Sequence, residues 1–342
     1  MKPFVPERIS LASGAGGRAM RNLVESIFLN GVTSPPGAVG ADAMDDGAAI
    51  PLGNQWLVMT TDSYVVKPLF FPGGDIGRLA ICGTVNDLAM MGATNVLGLT
   101  CGIIIEEGFA RSDLERIQAS LQAACAEAGV HVVTGDTKVM ARGELDGVVL
   151  NTAGVALCER VVRDCTLQPG DRLVVTGTVG DHGMAIAALR ADVGIEGDLR
   201  SDVAPLRSLI AAVLNAVGEG VTAMKDPTRG GVASALFEMA QKSGVSLLLD
   251  GPAVPIRHPV RATAELLGIE PLHVANEGKA LIGVRPEALE TVLAVLRAHP
   301  LGRDAAVIGV VTSGRPGEIV LDTGMGKRLL HEPEGEPLPR IC

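Results

Sequence analysis

Apolar and polar positions along the chain follow two rhythms. Short β-branched runs bounded by Gly, Asp or Asn predict strands at WLVMTT (56–61), VLGLTCGIII (96–105), VHVVT (130–134) and GVVLNTAGVAL (147–157). Four more follow at RLVVTGT (172–178), SLLLD (246–250), ALIGV (280–284) and AAVIGVVT (305–312). Between them, Met20, Leu23, Val24, Ile27 and Phe28 repeat at helical spacing, as do Leu114, Ile117, Leu121 and Cys125. The second of these helices is expected to open on a capping box of Ser112 and Glu115 and to stop at Gly129. The pattern turns polar over CERVVRDCTLQPGDRL (158–173), where Pro169 and Gly170 precede a new strand. This divides the chain into domains 1–160 and 161–330, each an α/β (α+β) sandwich of strands and long helices, with room for a nucleotide-sized cleft between them. Residues 331–342, HEPEGEPLPRIC, have no apolar periodicity, and their prolines predict a flexible but extended arm.

Composition agrees with two domains. At 342 residues the chain is too long for one ordinary core, and domains of roughly 150 to 170 residues are expected. With one Trp and one Tyr, the cores must be built from aliphatic side chains. A net charge of −10 without any basic cluster argues against nucleic-acid binding. MKPFVPERIS lacks a signal-peptide core and no run approaches eighteen apolar residues, so no membrane span is expected and the cytoplasm is the expected compartment. Cys82, Cys101 and Cys125 lie in apolar patterns and read as small hydrophobes. Cys342, at the tip of the arm, does not.

Acids recur where apolar strands end. Asp62 follows VMTT, Asp136 follows VVTG, Asp226 follows TAMK, Glu277 follows HVAN, and Asp45 and Asp46 sit together in AMDDGAA. Asp87 lies in GTVNDLAM, on an otherwise apolar helical stretch. An isolated Asp is most often a turn former or cap, but this set shares one context, and strand-end carboxylates of an α/β fold converge where ligands bind. So many acids repel unless a cation lies among them, and oxygen ligands without His or Cys favour Mg²⁺ with a nucleotide triphosphate. SGAGGRAM (13–20), with Gly14, Gly16 and Gly17, and DPTRGGV (226–232), with Arg229, suit an anion but match no Walker or dinucleotide pattern. Lys138 and Lys279 stand two residues after Asp136 and Glu277, either to stabilise a phosphoryl group or as ordinary surface ion pairs. His182, in GTVGDHG, is the one histidine in a glycine turn that merits attention.

Taken together, SGAGGRAM, TTDSYVVKPLFFPGGDIGRLAICGTVNDLAMMGA, VVTGDTKV, GTVGDHG, DPTRGGV, ANEGKALIGV, HPLGRDAAVIG and the final PRIC resemble the HypE family of [NiFe]-hydrogenase maturation proteins. That family falls within the ATP-using superfamily shaped like aminoimidazole ribonucleotide synthetase. The resemblance implies an N-terminal mixed sheet that pairs into a barrel in a homodimer, and a carbamoyl dehydratase activity. A HypF-type carbamoyltransferase would load a carboxamide onto Cys342, and ATP would drive its dehydration to an S-cyanate. The cyano group would then pass to iron on a HypC–HypD type complex. It further implies Mg²⁺ on Asp45 (or Asp46), Asp62, Asp87 and Asp136, Glu277 as base, and Lys138 and Asp87 assisting. Asp226 and Arg229 match the family's second-domain loop without an assigned step. Two rivals are a selenophosphate synthetase or small-molecule kinase on the same fold, and a non-catalytic nucleotide-binding scaffold. SGAGGRAM has no Cys and the chain ends in PRIC, both of which disfavour the former.

Overall fold

A computed structural model describes residues 8–14, 16–194, 197–333, 338 and 340–342. The first domain is a five-stranded sheet covered on one face by two helices. Its strands are β1 (Ala48–Leu52), β2 (Gln55–Tyr64), β5 (Asn95–Glu106), β6 (Val132–Met140) and β7 (Val148–Cys158), in the order β1-β2-β7-β5-β6, and a separate small hairpin of β3 (Phe70–Phe71) and β4 (Gly74–Asp75) follows β2. Only β5 and β6 run parallel, and α3 (Arg111–Ala128) makes that crossover. The seven-residue α1 (Gly17–Leu23) precedes the sheet and continues to Phe28 with a looser i to i+5 bonding.

The second domain holds a seven-stranded sheet, with β8 (Arg172–Val175), β9 (Val221–Lys225), β10 (Ser246–Asp250), β11 (Leu281–Val284), β12 (Ala306–Thr312), β13 (Ile319–Asp322) and β14 (Lys327–Leu329). Their order is β14-β13-β10-β12-β8-β11-β9. Helices α4 (Asp181–Arg190), α5 (Arg207–Val217), α6 (Gly231–Ser243), α7 (His258–Leu267) and α8 (Leu289–Ala298) complete it. Core side chains of α5 and α8 pack together on one side of the sheet, and those of α6 belong to a separate core on the other. Among the described residues no helix is long and apolar enough to cross a membrane.

Helix α2 (Ile76–Met90) joins the two domains. Asp75 caps it, accepting from the N–H groups of Gly77 (2.8 Å) and Arg78 (3.1 Å). Nearly every residue of α2 is buried, because one side packs on the first sheet while Ala89 and Met90 enter the core of the second domain. Asn86 stitches the two together. Its amide donates to the carbonyls of Ala204 and Glu277 and accepts from Leu206 N–H at 2.7 Å.

Three local expectations need correction. Helix α3 starts two residues early, its N-cap is Ala110 without a side-chain bond, and Glu115 pairs with Arg111 instead of closing a capping box. It ends at Gly129 in the left-handed conformation, as expected. The run from 130 to 134 reaches Met140, because pairing with β5 carries the chain through the polar TGDTK. Ile27 and Phe28 of the first helix remain exposed.

Candidate functional site

Strand β1 stops pairing with β2 at Met59, so residues 60–64 of β2 present an open edge. A cavity of about 1160 Å³ lies there, between the domains. Its first-domain lining includes Asp62, Asp87 and the Asp45–Asp46 turn. Asp226 and Arg229, just beyond β9, and Glu277, ahead of β11, come from the second domain. Gly16, Gly17 and Cys342 also line it.

Gly16 has φ 75°, and a Cβ on it would stand 2.7 Å from Arg229 Cβ. A glycine is therefore required here by the close approach of the two glycine-rich loops to each other. Gly14 is exposed and is not part of the lining.

The acids have different surroundings. Asp45 is locked: Arg163 Nε donates to it at 2.9 Å and Asp164 N–H at 3.1 Å. Burial opposes its charge, but the bonds with Asp164 and Arg163 and the Lys242 ammonium outweigh it and hold its pKa below the usual value. Asp46 meets Lys225 Nζ at 2.5 Å, yet burial still raises its pKa. Asp87 accepts from Thr60 Oγ1 at 2.9 Å, while burial and the charges of Asp226, Asp62 and Asp46 push its carboxyl well above the usual range. Burial and Asp46 push Asp226 up to about 8.

Glu277 is buried. Its N–H donates to Asp202 Oδ1 at 3.0 Å, and Lys279 Nζ lies 3.1 Å from the other Asp202 oxygen. Burial, then Asp226, Asp202 and Asp62, raise the Glu277 pKa well above the ordinary value, with Arg229 opposing. Glu277 Oε1 and Asp226 Oδ2 have no hydrogen-bond partner in the protein. Two buried, unpartnered carboxylate oxygens beside one cavity suit either a cation or a substrate that donates protons. Arg229 is the cation on hand, 3.9 Å from Asp62, and the negative charge at Cys342 is the largest influence raising its pKa.

Asp136 and Lys138 are not brought to this cavity within the chain. Asp62 is registered with Thr152, Thr152 with Cys101 and Cys101 with Gly135, so Asp136 lies about 14 Å across three strand spacings. Alternation also puts Asp136 and Lys138 on the opposite sheet face from Asp62. They pair with each other at 2.6 Å in the open.

The arm does not end in solvent. Ile341 is 1% exposed and Arg340 pairs with Asp146 at 2.5 Å, which brings Cys342 to the cavity. Pro337 and Pro339 lie outside the described residues. Sequence reasoning missed Thr60, Asn86, Asp202 and Lys225. Asn86 and Lys225 directly precede Asp87 and Asp226, and a polar residue in the apolar stretch of α2 was a usable signal. Asp202 sits in a polar loop that carries none.

Two α/β domains facing each other across an acid-lined cleft define the AIR synthase related class, and both halves match it. The N-terminal domain of AIR synthase related proteins matches residues 44–158, and their C-terminal domain matches residues 168–322. Carbamoyl dehydratase HypE of Azotobacter vinelandii is 45% identical over 337 residues, covering 98% of this chain and 97% of that one. The chain belongs to the HypE family of carbamoyl dehydratases. Among solved structures, a HypE–HypF complex contains a chain 40% identical with a TM-score of 0.85, covering 91% of this chain and 99% of that one. A HypE in complex with ATP is 41% identical with a TM-score of 0.81, covering 97% and 99%.

Proposed function

We propose that this chain dehydrates an S-carboxamide carried on its own Cys342 to an S-cyanate at the expense of ATP, supplying the cyanide ligand for [NiFe]-hydrogenase maturation. The observation that carries this reading is that Cys342 reaches the cavity that holds Glu277, Asp87 and Asp226. The reaction balances as RS–C(O)NH₂ plus ATP giving RS–C≡N, ADP and phosphate. The amide oxygen accepts the γ-phosphoryl group and leaves as phosphate, and both nitrogen protons are lost.

Each residue then has a task. Glu277, buried and tuned upward, accepts an amide proton once it is ionised. Arg229 faces the charge at Cys342 and would steady the developing anion. Gly16 and Gly17 admit the phosphates to the cavity wall, and the ATP-bound HypE relative supports ATP as the phosphoryl donor. Among the described residues no three acids, histidines or cysteines come together closely enough to hold a metal ion. Mg²⁺ characteristically uses one or two carboxylates together with phosphate oxygens, and Asp62, Asp87 and Asp226 are the donors suited to it. It would neutralise the triphosphate. Asp45 and Asp46 have Arg163 and Lys225 as partners and serve as supports.

A HypF-type carbamoyltransferase as loader and a HypC–HypD type complex as acceptor complete the sequence, in the cytoplasm. A homodimer is favoured by the exposed face and edge of the first sheet, where Val133 and Val139 are 66% and 68% exposed. Asp136 and Lys138 lie on that same edge strand and would act in the partner's site.

Intact mass of the Cys342 peptide tests the reading. After incubation with carbamoyl phosphate, ATP and the transferase, wild type should gain a carboxamide and then lose one water, and Glu277→Gln should keep the carboxamide. No adduct on Cys342 would sink the function, and identical mass changes in both proteins would sink the role of Glu277.

A further inference from the structure

His182, at the start of α4, takes no part in the chemistry above, yet it is fully buried. Its ring stands edge-on to Phe71 at 5.4 Å, its Nδ1 is 2.8 Å from Ser201 Oγ and its Nε2 is 2.9 Å from the carbonyl oxygen of Ile341. Burial holds the imidazole pKa below its ordinary value, so the ring is neutral and carries a single N–H. A carbonyl only accepts, so that proton is on Nε2 and Nδ1 accepts from Ser201. Val203 N–H donates to Ser201 Oγ at 3.1 Å, leaving the serine proton for His182. The bonds therefore run in one direction, from Val203 through Ser201 and His182 to the backbone of the arm.

The remaining arm contacts are of other kinds. Val65 N–H donates to the main-chain oxygen of Cys342 at 3.1 Å and Lys67 N–H to the Arg340 carbonyl at 3.2 Å, so residues 340–342 run antiparallel to 65–67. Arg190 donates to the Arg340 carbonyl at 2.6 Å from the exposed side. His182 holds the backbone of the arm from inside the core, beside the packing of the Ile341 side chain. Without the arm, its N–H loses its partner at a buried position, which costs free energy.

We propose that His182 is the positioning residue that holds the Cys342 segment in the cavity, acting through the Ile341 carbonyl and aligned by Ser201. That the held position is also the reacting position rests on the dehydration reading. The holding itself does not.

The test is the rate of iodoacetamide labelling of each cysteine, followed by peptide mass without ATP, carbamoyl phosphate or any partner. Cys158 and Cys165, both half-buried, serve as internal references. His182→Phe keeps the ring and removes the donor, and should label Cys342 about tenfold faster than wild type while the references stay unchanged. His182→Gln restores a donor and should bring labelling back close to wild type. Ser201→Ala keeps the imidazole but releases its alignment, and should raise the Cys342 rate by a smaller factor even where His182→Phe fails to fold. An unchanged Cys342 rate in a folded His182→Phe or, should that variant not fold, in Ser201→Ala overturns the proposal. So does equal acceleration of all three cysteines, or a Gln variant as fast as the Phe variant. Failure here leaves the mass test of dehydration standing, and failure there leaves this result standing.

Discussion

Lys225 Nζ and Asp46 Oδ1 meet at 2.5 Å across the domain boundary, with Asp164 and Glu238 each 3.5 Å from the same ammonium. Both partners of the pair are nearly buried, so neither charge has water to fall back on. Lys225→Met should cost about 3–5 kcal/mol, because it strands Asp46 without its direct counter-charge, whereas Asp164 keeps Lys242 at 2.6 Å. Lys225→Met with Asp46→Asn should recover part of the loss. Urea midpoints followed by fluorescence of Trp56 and by circular dichroism check this. A single variant as stable as wild type would mean that the pair holds nothing together.

Asp226 offers a pH test. Its pKa is about 8 in the folded chain against about 4 when unfolded. The folded state therefore holds the extra proton between these values, and stability falls as pH rises from about 4 to about 8, then levels off. Asp226→Asn has no proton to lose. In buffer free of divalent ions it should match wild type near pH 4 and exceed it at pH 8.5, by on the order of 5 kcal/mol at most. Thermal melts at the two pH values decide it, and an advantage independent of pH would show that the charge of Asp226 is not what destabilises the fold.

Much of this was legible in the sequence because the relevant signals are local. The alternation in WLVMTT and GVVLNTAGVAL fixes which residues face the helices, and the acids at strand ends mark the cleft they line. What was hidden depends on contacts between distant segments. Nothing near Asp202 announces that it accepts the Glu277 N–H from 75 residues away. VVTGDTKV looks like a member of the same acid set, yet the β2-β7-β5-β6 order puts two strands between it and Asp62, and only the register reveals this. The prolines of the arm suggest reach, whereas the burial of Ile341 depends on a pocket formed by Tyr64, Phe71 and Ile186.

That separation yields a prediction about Lys138. If the partner's edge strand completes each site, Lys138→Ala and Glu277→Gln should each be inactive alone. Co-expressed, they should recover about a quarter of wild-type dehydration, because half of the randomly assorted dimers carry one intact site of two. Differently tagged chains purified as the mixed species make the measurement direct. Activity no greater than the sum of the two single variants would confine Lys138 to a surface role.

Asp202 should set the pH at which Glu277 works. A proton acceptor must be ionised, and the raised pKa of Glu277 places the rising limb of the rate at correspondingly high pH. Burial is the main cause and the charge of Asp202 contributes in the same direction. Asp202→Asn keeps an oxygen to accept the Glu277 N–H while removing the charge and leaving Lys279 uncompensated nearby. Both changes favour ionised Glu277, so its pKa should fall and the limb should move about one unit toward acid. Single-turnover dehydration of the carbamoylated protein between pH 6 and 9.5 measures it. A limb that stays in place in Asp202→Asn would assign it to another group, and Asp226, whose pKa is about 8, would be the next to test.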